Sequence, residues 1–200
     1  MAEMIQFSGL KKLPEEPFVA FCSARKIKVD PKVPVGPEAE VAEGLQALYE
    51  ARSLPSFFQV IANALPVREA VWFACLAAEQ MLQEGTDPPP TLQTAKAWVF
   101  KPNTDTREAV EKAIADADMD DPTTLAADAA FHGIVKGLEA QVMSPPSASP
   151  TMVFAMLMQA ALKDDEPAMA EANWQKLVGF GVNIAAGGTG TTEGVQGGAA

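Results

Sequence analysis

Val67-Arg68-Glu69-Ala70-Val71-Trp72-Phe73-Ala74-Cys75-Leu76-Ala77-Ala78 is the stretch whose reading decides the fold. From Val71 to Ala78 it carries no charge on any side, so a helix here must be wrapped by neighbours. Its opening recurs 39 residues later as Thr106-Arg107-Glu108-Ala109-Val110. Each copy is followed by a proline-threonine start to an alanine-rich stretch that reaches an aromatic, Pro90 to Trp98 and then Pro122 to Phe131. Two helical pairs repeating at a period of about 40 residues predict antiparallel hairpins, the arrangement of helical repeats and scaffolds. Such architectures bind other macromolecules, and the pattern is no active-site signature.

Working outward, the central helix is expected from about Pro66 to Gln83, ended by Gly85 and Pro88-Pro89-Pro90. Before it, Gly36-Pro37 starts a helix with Val41, Leu45 and Leu48 on one edge. A second follows Ser53, where Phe57, Phe58, Ile61, Ala64 and Leu65 keep the spacing of a buried face. Beyond it, helices are expected over about Thr91–Lys101, Asp105–Asp118, Pro122–Val142, Thr151–Lys163 and Glu166–Ala185. Ala109, Val110, Ala113, Ile114 and Ala117 share one face of the Asp105–Asp118 helix. Ser144–Pro150 reads as a linker whose Ser149-Pro150 caps and opens the next helix. Valine, isoleucine, threonine and tyrosine are sparse and rarely alternate. The class is all-α, about eight helices paired as hairpins, and either a compact bundle or a short repeat array satisfies the pattern.

Residues 1–36 differ in texture. Pro14, Pro17, Pro31, Pro34 and basic residues surround the apolar island Phe18-Val19-Ala20-Phe21-Cys22. Proline at that density predicts a strand or an extended arm laid over the body rather than a helix. Residues 37–186 form the expected helical domain, and the glycine-rich 187–200 reads as a disordered tail. Charge divides in the same way. The chain carries −11 in all, but residues 1–35 hold six basic and four acidic side chains, leaving −13 on the remainder.

That balance excludes nucleic acid and anionic membrane surfaces as partners, since both require clustered Lys and Arg. The longest apolar runs reach about half of the roughly 20 residues a membrane helix needs, so no membrane insertion is expected. The opening Met1-Ala2-Glu3-Met4 lacks a basic region followed by an apolar one, and a cytoplasmic location is expected. Cys22 and Cys75 are the two cysteines, too few for a disulfide framework.

The chemistry-bearing residues are few. Asp128 and His132 stand four apart, so one helix face could orient an imidazole, with Cys75 as a nucleophile. Against this, Cys75 lies in the most apolar run, which suppresses the thiolate, and no nucleophile elbow appears. Asp116-Ala117-Asp118-Met119-Asp120-Asp121 suggests a calcium loop, but position 6 is Asp121 where glycine is required and position 12 is Ala127 where glutamate is required. A solvated loop with Asp121 capping the following helix is the better reading. Gly187-Gly188-Thr189-Gly190-Thr191-Thr192 lacks the lysine and flanking elements of a phosphate loop. No catalytic residue, metal site or cofactor is assigned.

Leu65-Pro66-Val67-Arg68-Glu69-Ala70-Val71-Trp72-Phe73-Ala74-Cys75 resembles the most characteristic stretch of an uncharacterised bacterial family of all-helical proteins of about this length. There, a Pro-x-Arg-Glu-Ala-Val-Trp-Trp-Ala-Cys-like helix precedes an Ala-x-x-Trp-Val helix, matched here by Ala95-Lys96-Ala97-Trp98-Val99. The order of elements matches from about Phe57 to Ala186. The aromatic-Ser-Gly-Gly-Ser-type stretch of that family is replaced by Phe131-His132-Gly133-Ile134-Val135-Lys136-Gly137, and the linker is short. The resemblance implies an association with type VI or related contractile secretion machinery, and it carries no catalytic residues with it. The expectation is a non-enzymatic adaptor or accessory scaffold with a protein partner. Its contacts are expected at Phe18, Phe21, Lys26 and Lys28 of the basic arm and at Met152 and Met156 of the methionine-bearing helix. The alternatives are a sensor of an apolar ligand or peptide near Trp72, Trp98 and the methionines, and an enzyme using Asp128 and His132.

Overall fold

Prolines and capping residues set the helix boundaries. The structure, a computed structural model, describes residues 5–190. Nine α-helices lie among the described residues: α1 Phe18–Ala24, α2 Val41–Glu50, α3 Leu54–Ala64, α4 Val67–Glu79, α5 Pro90–Phe100, α6 Thr104–Ala115, α7 Thr124–Phe131, α8 Ala148–Ala161 and α9 Pro167–Ala186. Proline occupies the first turn of α3, α5 and α9, where its missing N–H costs nothing. α2 and α6 open on reciprocal capping boxes, Glu40 with Glu43 and Asn103 with Thr106. The class is all-α, and among the described residues an isolated bridge joins Pro17 and Glu40.

The core is one cluster with two helices at its centre. α4 packs against α5, α7, α8 and α9, and α8 packs against α3, α4, α7 and α9. Ala70, Val71 and Phe73–Ala78 are buried, which is the wrapping that their uncharged run demands. Burying side chains on all faces of one helix is worth about 1.5–3 kcal/mol for each large residue.

The N-terminal arm departs from expectation in one element. Much of residues 5–36 is non-helical, but Phe18–Ala24 forms α1 where prolines predict extended chain. The physical reason is position. Pro17 stands just before the helix and the next proline is Pro31, so the intervening N–H groups are free to bond. Gly44 then admits α1 to α2, since a Cβ there would lie 2.0 Å from the Phe18 ring. The Phe18 N–H donates to Ala39 O (2.7 Å) and the Lys12 N–H to Ala185 O (2.9 Å). Phe7 packs on Tyr49 and Phe57 with ring centroids 5.4 and 6.2 Å away. The arm is part of the folded body.

The helix expected over 122–142 is also shorter than its periodicity implies. α7 stops at Phe131, and a 3₁₀ turn at Glu139–Gln141 follows an irregular stretch. Gly133 sits against Trp98, whose Cη2 would be 2.5 Å from a Cβ, and Gly137 takes φ +91°. The apolar residues Ile134 and Val135 continue the helical spacing but are only partly buried. Gly187–Gly190, where the expected tail begins, lie against the body: Asn183 Oδ1 accepts from the Gly190 N–H (2.8 Å). Residues 191–200, on which the rest of that tail falls, lie outside the described residues.

Candidate functional site

The repeated Arg-Glu-Ala-Val motif has one structural job in both copies. Arg68 at the start of α4 donates from Nε and a terminal nitrogen to Val99 O (2.9 and 2.6 Å), near the last turn of α5. Arg107 in α6 donates from Nε to Phe131 O (3.1 Å), the last residue of α7, with its guanidinium 4.2 Å from the Phe131 ring centre. Each arginine thus satisfies a carbonyl that its neighbour helix leaves unbonded. Because the start of one helix meets the end of the next, both hairpins run antiparallel. The proline-threonine starts of α5 and α7 also meet. Thr91 Oγ1 and Thr123 Oγ1 lie 2.7 Å apart, and both hydroxyls reach the Asp121 carboxylate, at 2.5 and 2.8 Å. Asp121 Oδ1 also accepts from the Thr123 N–H (2.8 Å), which closes the turn ahead of α7; the helix starts at Thr124 rather than Pro122, so the residue at its N-cap is Thr123 and not Asp121 as expected.

Beside the Arg68 anchor is a groove of about 350 Å³, lined by Arg68, Glu69, Trp72, Val99, Phe100, Ile184, Gly188 and Thr189. Phe100 is 72% exposed and stands with its ring centroid 5.9 Å from that of half-buried Trp72. The Trp72 indole N–H donates to Thr189 O (2.7 Å), which closes one wall. Lys12 pairs with Glu69 (2.8 Å), and Lys96 pairs with Glu79 while lying 5.8 Å from the Trp72 ring centre. An exposed aromatic beside a half-buried one, over a polar rim, is an arrangement that can hold an apolar side chain of another molecule. Sequence reasoning missed Phe100. The signal was available: it follows the buried pair Trp98-Val99 and falls off their face, just before Pro102 ends the element.

The residues singled out from sequence fall in different places. Phe18 and Phe21 are buried in the core cluster, Phe18 against Gly44 of α2 and Phe21 with the Arg25 guanidinium over its ring, so they are not surface contacts; aromatic side chains in the core cannot reach a partner without unfolding. Met156 is likewise fully buried, and Met152 is partly buried against the core. Lys26 and Lys28 are exposed, and Lys26 holds φ +56° at the end of α1. Trp98 is fully buried against Gly133 and Trp72 lines the groove, so the tryptophans form no common cage.

Asp128 and His132 remain neighbours at the end of α7, but no ion pair joins them among the described side chains. His132 Nδ1 is 2.6 Å from Ser144 Oγ, and its ring meets Phe131 edge-on. Burial pushes the Asp128 carboxyl above its usual range, an effect that the imidazole partly offsets. A triad needs the carboxylate on one ring nitrogen and the nucleophile on the other; here the serine holds Nδ1 and the carboxylate is unbonded to the ring. Burial pushes the Cys75 thiol up to about 12 and the Cys22 thiol to about 11, so neither is a thiolate at neutral pH. Among the described residues no three His, Cys, Asp or Glu side chains are grouped to hold a metal ion, and no helix is long and apolar enough to cross a membrane.

The sequence profile of the family of unknown function DUF6931 matches residues 44–185. Neither a curated protein nor a solved structure matches the chain. The matched span runs from α2 to α9 and contains both arginine-anchored hairpins, and the chain belongs to this family.

Proposed function

We propose that this protein is a non-enzymatic adaptor or accessory scaffold that docks a protein partner at the Trp72–Phe100 groove. The observation that carries the reading is Phe100, a large aromatic held 72% exposed at the end of a well-packed helix. What sets it apart from a scattered surface residue is its place beside Trp72 at the edge of a groove, where an apolar side chain of another molecule could be covered by both rings. The groove walls are rigid because Arg68 ties α4 to α5 and Trp72 is bonded to Thr189. Little ordering entropy is then lost on docking. The resemblance of Leu65–Cys75 to a bacterial family associated with contractile secretion supports a type VI or related apparatus as the setting, with the protein in the cytoplasm.

Affinity capture from the native cells tests the reading, comparing the full chain with Phe100→Ser and with the double variant Lys26→Glu, Lys28→Glu. Deleting residues 1–35 would not serve, because it removes Phe7, Phe18, Phe21 and Ile27 from the core. The expected result is a secretion-apparatus component recovered with the full chain and lost with Phe100→Ser. Recovery that is indifferent to Phe100 would reject the groove as the docking site, and loss only with the lysine variant would move the contact to the basic arm.

A further inference from the structure

We infer that the Trp72–Phe100 groove selects an acidic segment carrying an aliphatic or aromatic anchor; the inference rests on the docking reading above. The argument is one of charge around an apolar cleft. The groove floor is Trp72, Val99, Phe100 and Ile184, and its volume of about 350 Å³ suits one or two inserted side chains rather than a large cofactor. Two carboxylates stand at or near the rim and each is already neutralised: Glu69 by Lys12 and Glu79 by Lys96. Two cations accompany them, one in the lining and one next to it in the chain. Arg68 lines the groove and donates to backbone carbonyls of Val99 and Phe100, so its positive charge is spent on no carboxylate. Lys101 is exposed beside Phe100 and has no ion pair among the described residues. Of these groups the carboxylates are matched by lysines and Arg68 and Lys101 are left unmatched, on a chain whose formal charge is −11. A basic segment would be repelled locally by Arg68 and Lys101. An acidic one would be drawn to a face that does not repel it, and specificity would come from the repulsion as much as the attraction.

The test is a selection with a displayed library of random seven-residue peptides on the immobilised full chain at low and at physiological salt. The Phe100→Ser and Lys101→Glu chains serve as counter-targets. Circular dichroism melting of both variants is expected to match the parent, since both side chains are exposed. The expected result is enrichment of Asp and Glu flanking Leu, Ile or Phe. Synthetic copies of the selected peptides should lose about tenfold in affinity on Lys101→Glu, and should lose saturable binding on Phe100→Ser. Enriched peptides that are basic or uncharged yet depend on Phe100 would overturn the acidic preference and leave the docking reading standing. Enrichment that is indifferent to Phe100, or no enrichment at all, would overturn both.

Discussion

The hairpins α4–α5 and α6–α7 begin with the same residues and end in different environments. Val71 and Val110 occupy the same register after the arginine, and both are fully buried. Two residues further on the copies part: Phe73 is buried in the core, whereas its counterpart Lys112 is exposed. α4 is in contact with five other helices, while α6 buries only Val110 and Ala113 and leaves most of its other residues exposed. The arginine anchors differ as well. Arg68 grips Val99 O with two nitrogens, and Arg107 grips Phe131 O with one while stacking on the ring beside it. The shared code specifies a hairpin and its anchor. What surrounds each hairpin decides whether it becomes a core element or an edge.

Breaking the comparison at its widest point gives the largest effect. Phe73→Ala should cost about 3–5 kcal/mol by urea denaturation, whereas Lys112→Ala should change stability by less than about 0.5 kcal/mol. Similar costs at both positions would mean that α6 is as enclosed as α4.

The anchors come next. Arg68→Ala removes two charge-assisted bonds and should cost about 2 kcal/mol; Arg107→Ala should cost about 1 kcal/mol. Arg68→Lys should fail to restore the loss, because an ammonium cannot reproduce the planar fork.

The contact between Thr91 and Thr123 sharpens the comparison further. Thr91→Val and Thr123→Val, alone and together, form a double-mutant cycle. A coupling of about 1 kcal/mol is expected, since both hydroxyls serve one carboxylate. Strict additivity would show that the two hairpins stabilise themselves independently.

The smallest effect concerns Asp128. Burial raises its carboxyl pKa in the folded chain, so between its ordinary value and the raised one the folded state binds more protons than the unfolded state. Stability therefore falls as pH rises through that window. Asp128→Asn should raise the melting temperature slightly at pH 7, and the gain should vanish as pH falls to about 4. A gain that persists at low pH would assign the effect to packing instead.

Much of the fold was legible because its signals are local. Periodicity located α2 to α6, α8 and α9, and the uncharged run at Val71–Ala78 identified the central helix. Two misreadings have the same origin. The spacing of Phe131, Ile134, Val135 and Leu138 is helical, yet α7 ends because Arg107 takes its last carbonyl and Trp98 fills the space a side chain at Gly133 would need. The prolines around Phe18–Cys22 argued against helix, yet they flank α1 rather than interrupt it. Of the candidate contacts, the exposed lysines kept their place on the surface. Phe18, Phe21 and Met156 did not, since hydrophobicity alone cannot distinguish a binding anchor from a core residue.

By itself, the sequence determined the helical class, the register of the two hairpins, and the dry, unreactive surroundings of Cys75. These depend on residues within a few turns of one another, where spacing and propensity act directly. Only the tertiary structure decided that the arm joins the core, that α7 is short and that Phe100 lies open beside Trp72. Those outcomes depend on whether a distant segment covers a given face: Gly44 admitting Phe18, Gly133 admitting Trp98, and Thr189 bonding Trp72 without reaching across Phe100. Coverage is a property of the packed chain, and no local pattern records it.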